Sequence, residues 1–288
     1  MEIQTNESIV GVCFWITTKC NLKCDICYAD LNSVKDNTTN GYLQIINKLS
    51  SFNIKKISFT GGDPLLINNL DIVLAKAKEK DIKVALTTNA TLMNLQKLKN
   101  YENLIDEMSI PMDGFSEKIS AIHRTNKHNH NNVKNIIELS SNYNIKIDVS
   151  TVISKFNKHE ILNILDFLVK NKIYKWKCFQ YSELNKSIHT KVDFNISNND
   201  FNKVIESINN KIHQYKYNIQ VDFRDNSSIS INSYINLLPN GEILLSEDNQ
   251  YIKIGNILKF DNLSDLIHKL KSEKFSFLEH NRRHFRDI

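Results

Sequence analysis

Hydrophobic residues recur along the chain in two alternating patterns, one typical of buried strands and one typical of amphipathic helices. Short, largely apolar stretches predict strands over residues 10–17, 56–59, 82–86, 105–110, 145–153 and 175–181. Apolar residues at helical spacing predict helices over residues 43–49, 70–80, 92–101, 133–143 and 161–170. A polar, histidine-containing loop is predicted over residues 122–132. Because strands that alternate with helices form parallel pairs joined by crossovers, the pattern predicts an α/β fold with a parallel sheet.

The pattern changes after residue 181, where the strand-like stretches become shorter. Helical spacing covers residues 201–215 and 263–270, and strand-like runs cover residues 219–223, 228–238 and 242–245. We therefore predict a core domain over residues 8–181. The rest, residues 182–288, is predicted to be a small α+β C-terminal extension that packs on the core and closes it.

The composition is that of an ordinary globular protein and excludes several classes. Hydrophobic residues make up 41% and charged residues 24% of the 288 positions, values that are usual for a soluble domain. No apolar run approaches the roughly 20 residues that a membrane span requires. The formal charge of +5 is mild and dispersed, so nucleic-acid binding is not required. The polar start forms no export signal, and the chain is predicted to be cytoplasmic.

Three cysteines stand close together in a polar loop directly after the first predicted strand. Cys20, Cys24 and Cys27 have the spacing C-x3-C-x2-C, which lets three soft thiolates turn toward one centre. A closed zinc site or an electron-transfer [4Fe–4S] cluster needs four ligands, whereas three thiolates on a cubane leave one iron open. Zinc would need Cys13 as a fourth ligand, and Cys13 lies inside an apolar strand. The odd number of cysteines disfavours a disulfide framework.

This motif after a first strand resembles the cluster motif of the radical S-adenosylmethionine (SAM) superfamily. The resemblance implies an open iron that chelates SAM and an electron transfer that splits SAM into methionine and a 5′-deoxyadenosyl radical. It also implies a partial (β/α)6 TIM-like barrel for the core, and a flavodoxin or ferredoxin as electron donor. Sites on such sheets lie at the carboxyl ends of the strands, where the cysteine loop falls.

The segments after the next strands resemble those that bind SAM in the superfamily. The segment after the second strand resembles Gly-Gly-Glu-Pro, with Asp63 in place of the glutamate. The residues that the resemblance assigns to SAM are Thr60, Gly61, Gly62, Asp63, Pro64, Asn89 and Asp113. Asparagine and aspartate also cap helices and form turns routinely, so this alternative stays open at Asn89 and Asp113.

The other cysteines favour a single cluster. Cys13 and Cys178 lie in predicted strands, where a cysteine usually behaves as a small hydrophobic residue. A second cluster would need about four more thiolates, and downstream of Cys27 the chain offers Cys178 alone. This counts against a peptide-modifying maturase, which stays an alternative. A second alternative is a non-catalytic module that binds a structural metal.

Charged residues in the last core strands indicate an anionic substrate. Alternation places Lys175 and Lys177 on one face of their strand, and Lys146 and Asp148 on one face of the strand before it. Arg124 lies in the loop after the fourth strand. Buried cations are costly unless they meet an anion, so a phosphorylated or carboxylated substrate is predicted. Alternatively, these lysines lie near the strand starts and reach solvent.

Several stretches resemble the viperin-like family, which converts a pyrimidine ribonucleoside triphosphate to its 3′-deoxy-3′,4′-didehydro product. These stretches are residues 57–64, 146–153, 175–180, 196–201 and 233–235. The resemblance implies a nucleotide substrate and a role in antiviral defence. The residues that it assigns to triphosphate binding are Arg124, Lys146, Lys175 and Lys177. Asp148 and Lys175 depart from the family pattern, which has asparagine and arginine there.

Overall fold

A computed structural model of the chain describes residues 8–29, 34–124, 129–140, 142–183, 191–226, 232–247 and 250–285. Its strands are β1 (Gly11–Thr17), β2 (Lys56–Gly61), β3 (Lys83–Thr87), β4 (Glu107–Pro111), β5 (Lys146–Ile153), β6 (Lys175–Gln180), β7 (Gln220–Arg224), β8 (Asn236–Leu237), β9 (Glu242–Glu247) and β10 (Gln250–Asn256). Its helices are α1 (Thr39–Ser51), α2 (Leu70–Glu79), α3 (Leu95–Tyr101), α4 (Glu117–His123), α5 (Asn129–Ser140), α6 (Ile161–Lys170), α7 (Asn198–Tyr215), α8 (Leu263–Ser272) and α9 (Phe277–Phe285).

The chain forms two compact units, and the first is built around β1. This unit comprises Met1–Cys20, Asp30–Leu86 and Ser230–Ile288. Its strands lie in the order β10-β9-β8-β1-β2-β3. The β8, β1, β2 and β3 pairings are parallel, whereas β9 pairs antiparallel with both β8 and β10. Strands from the C-terminal part of the chain thus extend the sheet that β1 begins.

The second unit comprises Asn21–Ala29 and Thr87–Ile229. Its strands lie in the order β4-β5-β6-β7, and all of their pairings are parallel. The strand β7 aligns with β6 from the Lys175–Gln220 pair onward. A parallel neighbour requires a crossover, and the 18-residue helix α7 provides it.

The predicted fold class is confirmed. Strands and helices alternate from β1 to β7, and the parallel pairing is consistent with the predicted partial barrel. The division into domains at residue 181 stays a prediction. Residues 228–231 of one predicted strand-like run lie outside the described residues. Within the described residues, no helix is long and apolar enough to cross a membrane.

The predicted loop over residues 122–132 is wrong at both ends. Helix α4 extends to His123 and α5 begins at Asn129, while residues 125–128 lie outside the described part of the chain. Ser116 caps α4 by accepting a hydrogen bond of 3.3 Å from the Ile119 N–H. Glu160, 44 residues away, accepts a further one of 3.0 Å from the Ser116 N–H. This support is distant in sequence, so local periodicity could not indicate it.

A buried histidine on α9 ties the C-terminal helix to the start of the central sheet in the first unit. His280 is fully buried; its Nε2 accepts a 3.2 Å hydrogen bond from the Val10 N–H, and its Nδ1 lies 2.8 Å from the Ser233 carbonyl oxygen. Accepting at Nε2 requires the neutral ring. Burial lowers the pKa of His280 to about 4.

We expect His280 to make the first unit acid-sensitive. Its folded pKa lies below the unfolded value of about 6.5, so its stabilising effect is complete above that pH and is lost as the pH falls toward 4. The loss amounts to about 3 kcal/mol. In urea denaturation, the free energy of unfolding of the wild type should exceed that of His280→Asn by about 3 kcal/mol less at about pH 4 than at neutral pH. His213→Asn, at an exposed position on α7, is the control and should show no such change. An advantage that is independent of pH would contradict the expectation.

Candidate active site

The cysteine motif lies in the polar loop after β1. Cys20 ends a segment of the first unit, and Cys24 and Cys27 belong to the second. The Cys27 N–H donates a 3.2 Å hydrogen bond to the Cys24 carbonyl oxygen, which forms a tight turn between these two. Cys24 is buried, while Cys20 and Cys27 are partly exposed. All five cysteines lie within the described residues, and no disulfide joins any of them.

Two glycines bring the end of β2 directly against the segment that leads to Cys20. The Gly62 N–H donates a 2.8 Å hydrogen bond to the Thr17 carbonyl oxygen. A Cβ atom on Gly62 would lie 1.9 Å from the carbonyl oxygen of Lys19, and Gly61 has a φ of +128°. Neither position accepts a side chain without moving the backbone. The glycines thus fix the approach of this turn to the segment that leads to Cys20.

The acid of the same segment serves as a helix cap. Asp63 is fully buried, and its Oδ1 accepts a 2.9 Å hydrogen bond from the Leu65 N–H. The carboxylate therefore begins the short 3-10 helix Pro64–Leu66. The backbone N–H of Asp63 donates a hydrogen bond of 2.8 Å to the Lys19 carbonyl oxygen. Thr60, the residue before Gly61 in β2, is partly exposed.

Asn89 fastens the loop after β3 to the cysteine loop within the second unit. The Asn89 Nδ2 donates a hydrogen bond of 2.9 Å to Asn21 Oδ1, and the Asn89 Oδ1 accepts one of 2.8 Å from the Thr91 N–H. Asn21 Nδ2 in turn donates 2.7 Å to Thr91 Oγ1, which closes the network. Asn89 is buried, and Asn129 of α5 donates 2.8 Å to its carbonyl oxygen. Its side chain therefore holds the segment between Cys20 and Cys24.

Asp113 and Arg124, which the resemblance assigns to two different ligands, form one ion pair. Arg124 Nε lies 2.6 Å from Asp113 Oδ2, and the Val152 N–H donates 2.7 Å to Asp113 Oδ1. The aspartate side chain is 1% exposed and that of the arginine 23%. Burial tends to lower the pKa of Arg124, but the Asp113 carboxylate, together with Cys24 and Cys27 in their ionised form, outweighs it and raises that pKa.

Strands β4 to β7 carry two contrasting faces. One is largely apolar and includes Val149, Trp176 and Cys178, all fully buried. Burial raises the pKa of the Cys178 thiol well above its usual value, which suits the predicted structural role. The opposite face, here called the polar face, contains Ser109, Asp148, Ser150, Val152, Lys175, Lys177, Phe179, Asp222 and Arg224.

Lys177 and Asp148 pair on the polar face. Lys177 Nζ lies 3.0 Å from each oxygen of the Asp148 carboxylate, and Ser109 Oγ donates 2.6 Å to Asp148 Oδ1. Lys175 is also buried on this face, in register with Asp148. Lys146, in contrast, is exposed at the start of β5. It lies six residues, about 20 Å, from Val152 at the other end of the strand.

Asp222 and Arg224 form a second ion pair on the same face, which the sequence did not predict. Arg224 Nε and Nη2 lie 3.0 and 2.7 Å from Asp222 Oδ2. The guanidinium carbon stands 5.2 Å from the centre of the Phe179 ring, close enough for a cation–π contact. The predicted strand over residues 219–223 contained Asp222 but ended one residue before Arg224. Its place on the polar face depended on β7 pairing with β6.

The residues of the cysteine loop fit an iron–sulfur cluster. Three thiols in a short loop are the donor set that a [4Fe–4S] cluster with one open iron requires. Among the described residues, no group of three or more His, Cys, Asp or Glu could hold a single metal ion. A cubane does not require that convergence, because each protein thiolate binds a different iron.

Comparison with known proteins decides the family. The profile of the radical SAM superfamily matches residues 16–168, more than half of the chain. The chain belongs to the radical SAM superfamily. This confirms the predicted superfamily, and it establishes the protein as an enzyme whose cofactors are SAM and a [4Fe–4S] cluster.

Two of the relatives that the chain resembles have names that state a nucleotide substrate. An S-adenosylmethionine-dependent nucleotide dehydratase of Flammeovirga pacifica is 23% identical over 89% of this chain and 89% of its own length. A GTP 3′,8-cyclase of Clostridium perfringens is 32% identical over 55% of this chain and 51% of its own. Chain and relative thus share nearly their whole length in the first case and about half in the second. The resemblance to the viperin-like family is confirmed by such dehydratases.

Solved radical SAM structures confirm the fold. SuiB of Streptococcus suis bound to S-adenosylmethionine has a TM-score of 0.74 and 18% identity, covering 96% of this chain and 68% of that chain. At this identity, the likeness concerns the fold alone.

Proposed function

We propose that this radical SAM enzyme removes a hydrogen atom from a nucleotide bound against the polar face of the second unit. The observation that supports this most is that several charged side chains are buried on that face. Burying a charge costs free energy unless the charge is paired or binds an oppositely charged ligand. The relatives named as nucleotide dehydratases and GTP 3′,8-cyclase support a nucleotide as the substrate class.

In this proposal Cys20, Cys24 and Cys27 hold one cluster. When bound, the cluster and SAM supply a 5′-deoxyadenosyl radical that can take hydrogen from carbon. The glycine turn packs its backbone against Thr17 and Lys19, in the segment that leads to Cys20. Asp63 and Asn89 position the neighbouring loops, since their side chains already bind protein groups.

The substrate-contacting residues in the proposal are cations of the polar face. Lys177 and Arg224 are 20% and 15% exposed, so they are partly accessible while held by acids. Lys175 lies deeper in the same face. Lys146 lies apart from them at the exposed start of β5, and Arg124 is engaged with Asp113. Substrate contacts by these last two therefore rest on the family resemblance alone.

The proposal is tested by the coupling of SAM cleavage to nucleotides. The anaerobically reconstituted, reduced enzyme is incubated with SAM and with each common ribonucleotide, and 5′-deoxyadenosine is measured. At least one nucleotide should stimulate its formation well above the rate without substrate. If none does, the nucleotide assignment fails, whereas membership of the superfamily does not depend on this result.

Three predictions from the sequence accompany the proposal. They are a flavodoxin or ferredoxin as electron donor, a cytoplasmic location and a role in antiviral defence.

A further inference from the structure

The polar face carries a partly exposed aromatic ring among its charged residues. Phe179 of β6 is partly exposed, whereas Trp176 and Cys178 on the opposite face of the same strand are fully buried. Phe179 is in register with Arg224 on β7, so the two side chains lie side by side on one face. The guanidinium carbon stands 5.2 Å from the ring centre. These two planar groups of Phe179 and Arg224 are called the ring–guanidinium pair below.

Asp222 holds the guanidinium of this pair in place and matches its charge. Nε and Nη2 of Arg224 lie 3.0 and 2.7 Å from Asp222 Oδ2. The side chains of Arg224 and Asp222 are 15% and 21% exposed. Because the charge of the guanidinium is compensated and its rotation is restricted, the pair suits a planar, uncharged group better than a phosphate.

The lysines of the same face supply the positive charge that phosphates require. Lys175 and Lys177 share Asp148, which contacts Lys177 and is in register with Lys175. Two lysines against one carboxylate leave a net positive charge. Lys175, Lys177 and Phe179 occupy alternate positions of β6, so about 13 Å of strand separates the first from the last. A nucleotide likewise carries its phosphates and its flat base on opposite sides of the ribose.

We propose that the ring–guanidinium pair is the nucleobase subsite of this enzyme, on which the base stacks while Lys175 and Lys177 attract the phosphates. This inference rests on the proposed function and names the residues that recognise the uncharged end of the substrate. Every nucleobase has a π face, and bases stack in proteins on aromatic rings and on guanidinium planes. The pair therefore favours a nucleotide over an anion of similar charge that has no base.

The test compares nucleotides with a base-free anion after Phe179→Leu, which keeps an apolar side chain but removes the ring. Binding of adenosine, guanosine, cytidine and uridine triphosphates and of inorganic tripolyphosphate to the anaerobic, SAM-loaded holoenzyme is measured by equilibrium dialysis. The variant should bind the nucleotides that the wild type binds about tenfold more weakly or worse, because stacking is lost. Its affinity for tripolyphosphate should equal that of the wild type. Phe179→Tyr keeps the ring and should retain the affinity for nucleotides.

Two further variants make the result specific. Arg224→Lys keeps the charge beside Asp222 but removes the planar guanidinium, so it should weaken nucleotide binding and leave tripolyphosphate binding unchanged. Phe167→Leu is the matched control. Phe167 lies on α6, outside the polar face, and is also a partly exposed ring near a cation, with Lys134 Nζ 5.7 Å from its centre. Its replacement should change none of the affinities.

The inference is overturned if Phe179→Leu binds nucleotides as tightly as the wild type, or if it loses nucleotides and tripolyphosphate equally. Where tripolyphosphate does not bind even to the wild type, equal losses in Phe179→Leu and Phe179→Tyr overturn it. These results leave the nucleotide function standing as long as a nucleotide stimulates formation of 5′-deoxyadenosine by the wild type. If no nucleotide binds to the wild type or stimulates it, the proposed function and the inference fail together.

Discussion

Replacing Cys24 by alanine is expected to abolish cluster binding and SAM cleavage together. Three thiolates already leave one iron of a cubane open, and a loop with two of them cannot hold the cluster firmly. Iron in the reconstituted protein should fall from about four atoms per chain toward zero. Formation of 5′-deoxyadenosine should fall below detection. Iron analysis, the visible absorption spectrum and product chromatography measure these effects on one preparation.

Cys13→Ala is the matched control for this experiment. Cys13 is a partly exposed thiol on β1, only seven residues before Cys20, and lies outside the motif. It should keep its iron and cleave SAM as the wild type does. Retention of iron and of SAM cleavage by Cys24→Ala would show that the cluster assignment is wrong. Equal losses in both variants would point to general damage of the loop.

Removing the positive charge from Arg124 is expected to cause the largest loss of stability outside the apolar core. In Arg124→Met, the Asp113 carboxylate, which is 1% exposed, still accepts the hydrogen bond from the Val152 N–H but loses the positive charge that it pairs with. Leaving one buried ion of a pair uncompensated costs about 3–5 kcal/mol. Urea denaturation under anaerobic conditions, with equal iron loading, should show a decrease of this size in the free energy of unfolding.

A double-mutant cycle separates the ion pair from simple loss of packing. Asp113→Asn combined with Arg124→Met removes both charges, so the double variant should be less destabilised than the sum of the single ones. Lys211→Met removes the partner of Asp166, whose side chain is 46% exposed, and should cost less than about 1 kcal/mol. Strict additivity of Asp113→Asn and Arg124→Met would mean that the 2.6 Å contact contributes no coupling.

The contact between Asp113 and Arg124 could not be predicted from the sequence, unlike other features of the site. The cysteine motif and the glycine turn are local patterns, and the structure gives the glycines the close contacts that their type implies. The resemblance assigned Asp113 to SAM and Arg124 to phosphate, and both roles stay predictions. Their mutual contact follows from the path of α4 and from β5, whose Val152 lies 39 residues from Asp113.

Strand β7 gives the same lesson for the fold. Alternation predicted a strand at residues 219–223, and a strand forms there. Nothing in that alternation stated that it would pair parallel to β6 and present Asp222 and Arg224 beside Lys177 and Phe179. Strand existence depends on neighbouring residues, while strand pairing depends on where the crossover helix returns the chain.

The sequence by itself determined the α/β class, the positions of most strands and helices, and the three thiols of the cluster motif. Each of these depends on residues close together in the chain, and their spacing can be read from the sequence without knowledge of the tertiary structure. Only the tertiary structure decided which charges meet: Lys177 with Asp148, Arg224 with Asp222, and Arg124 with Asp113. The physical reason is that a buried charge is governed by its nearest counter-charge, and the partners of Lys177 and Arg124 come from other elements of the fold.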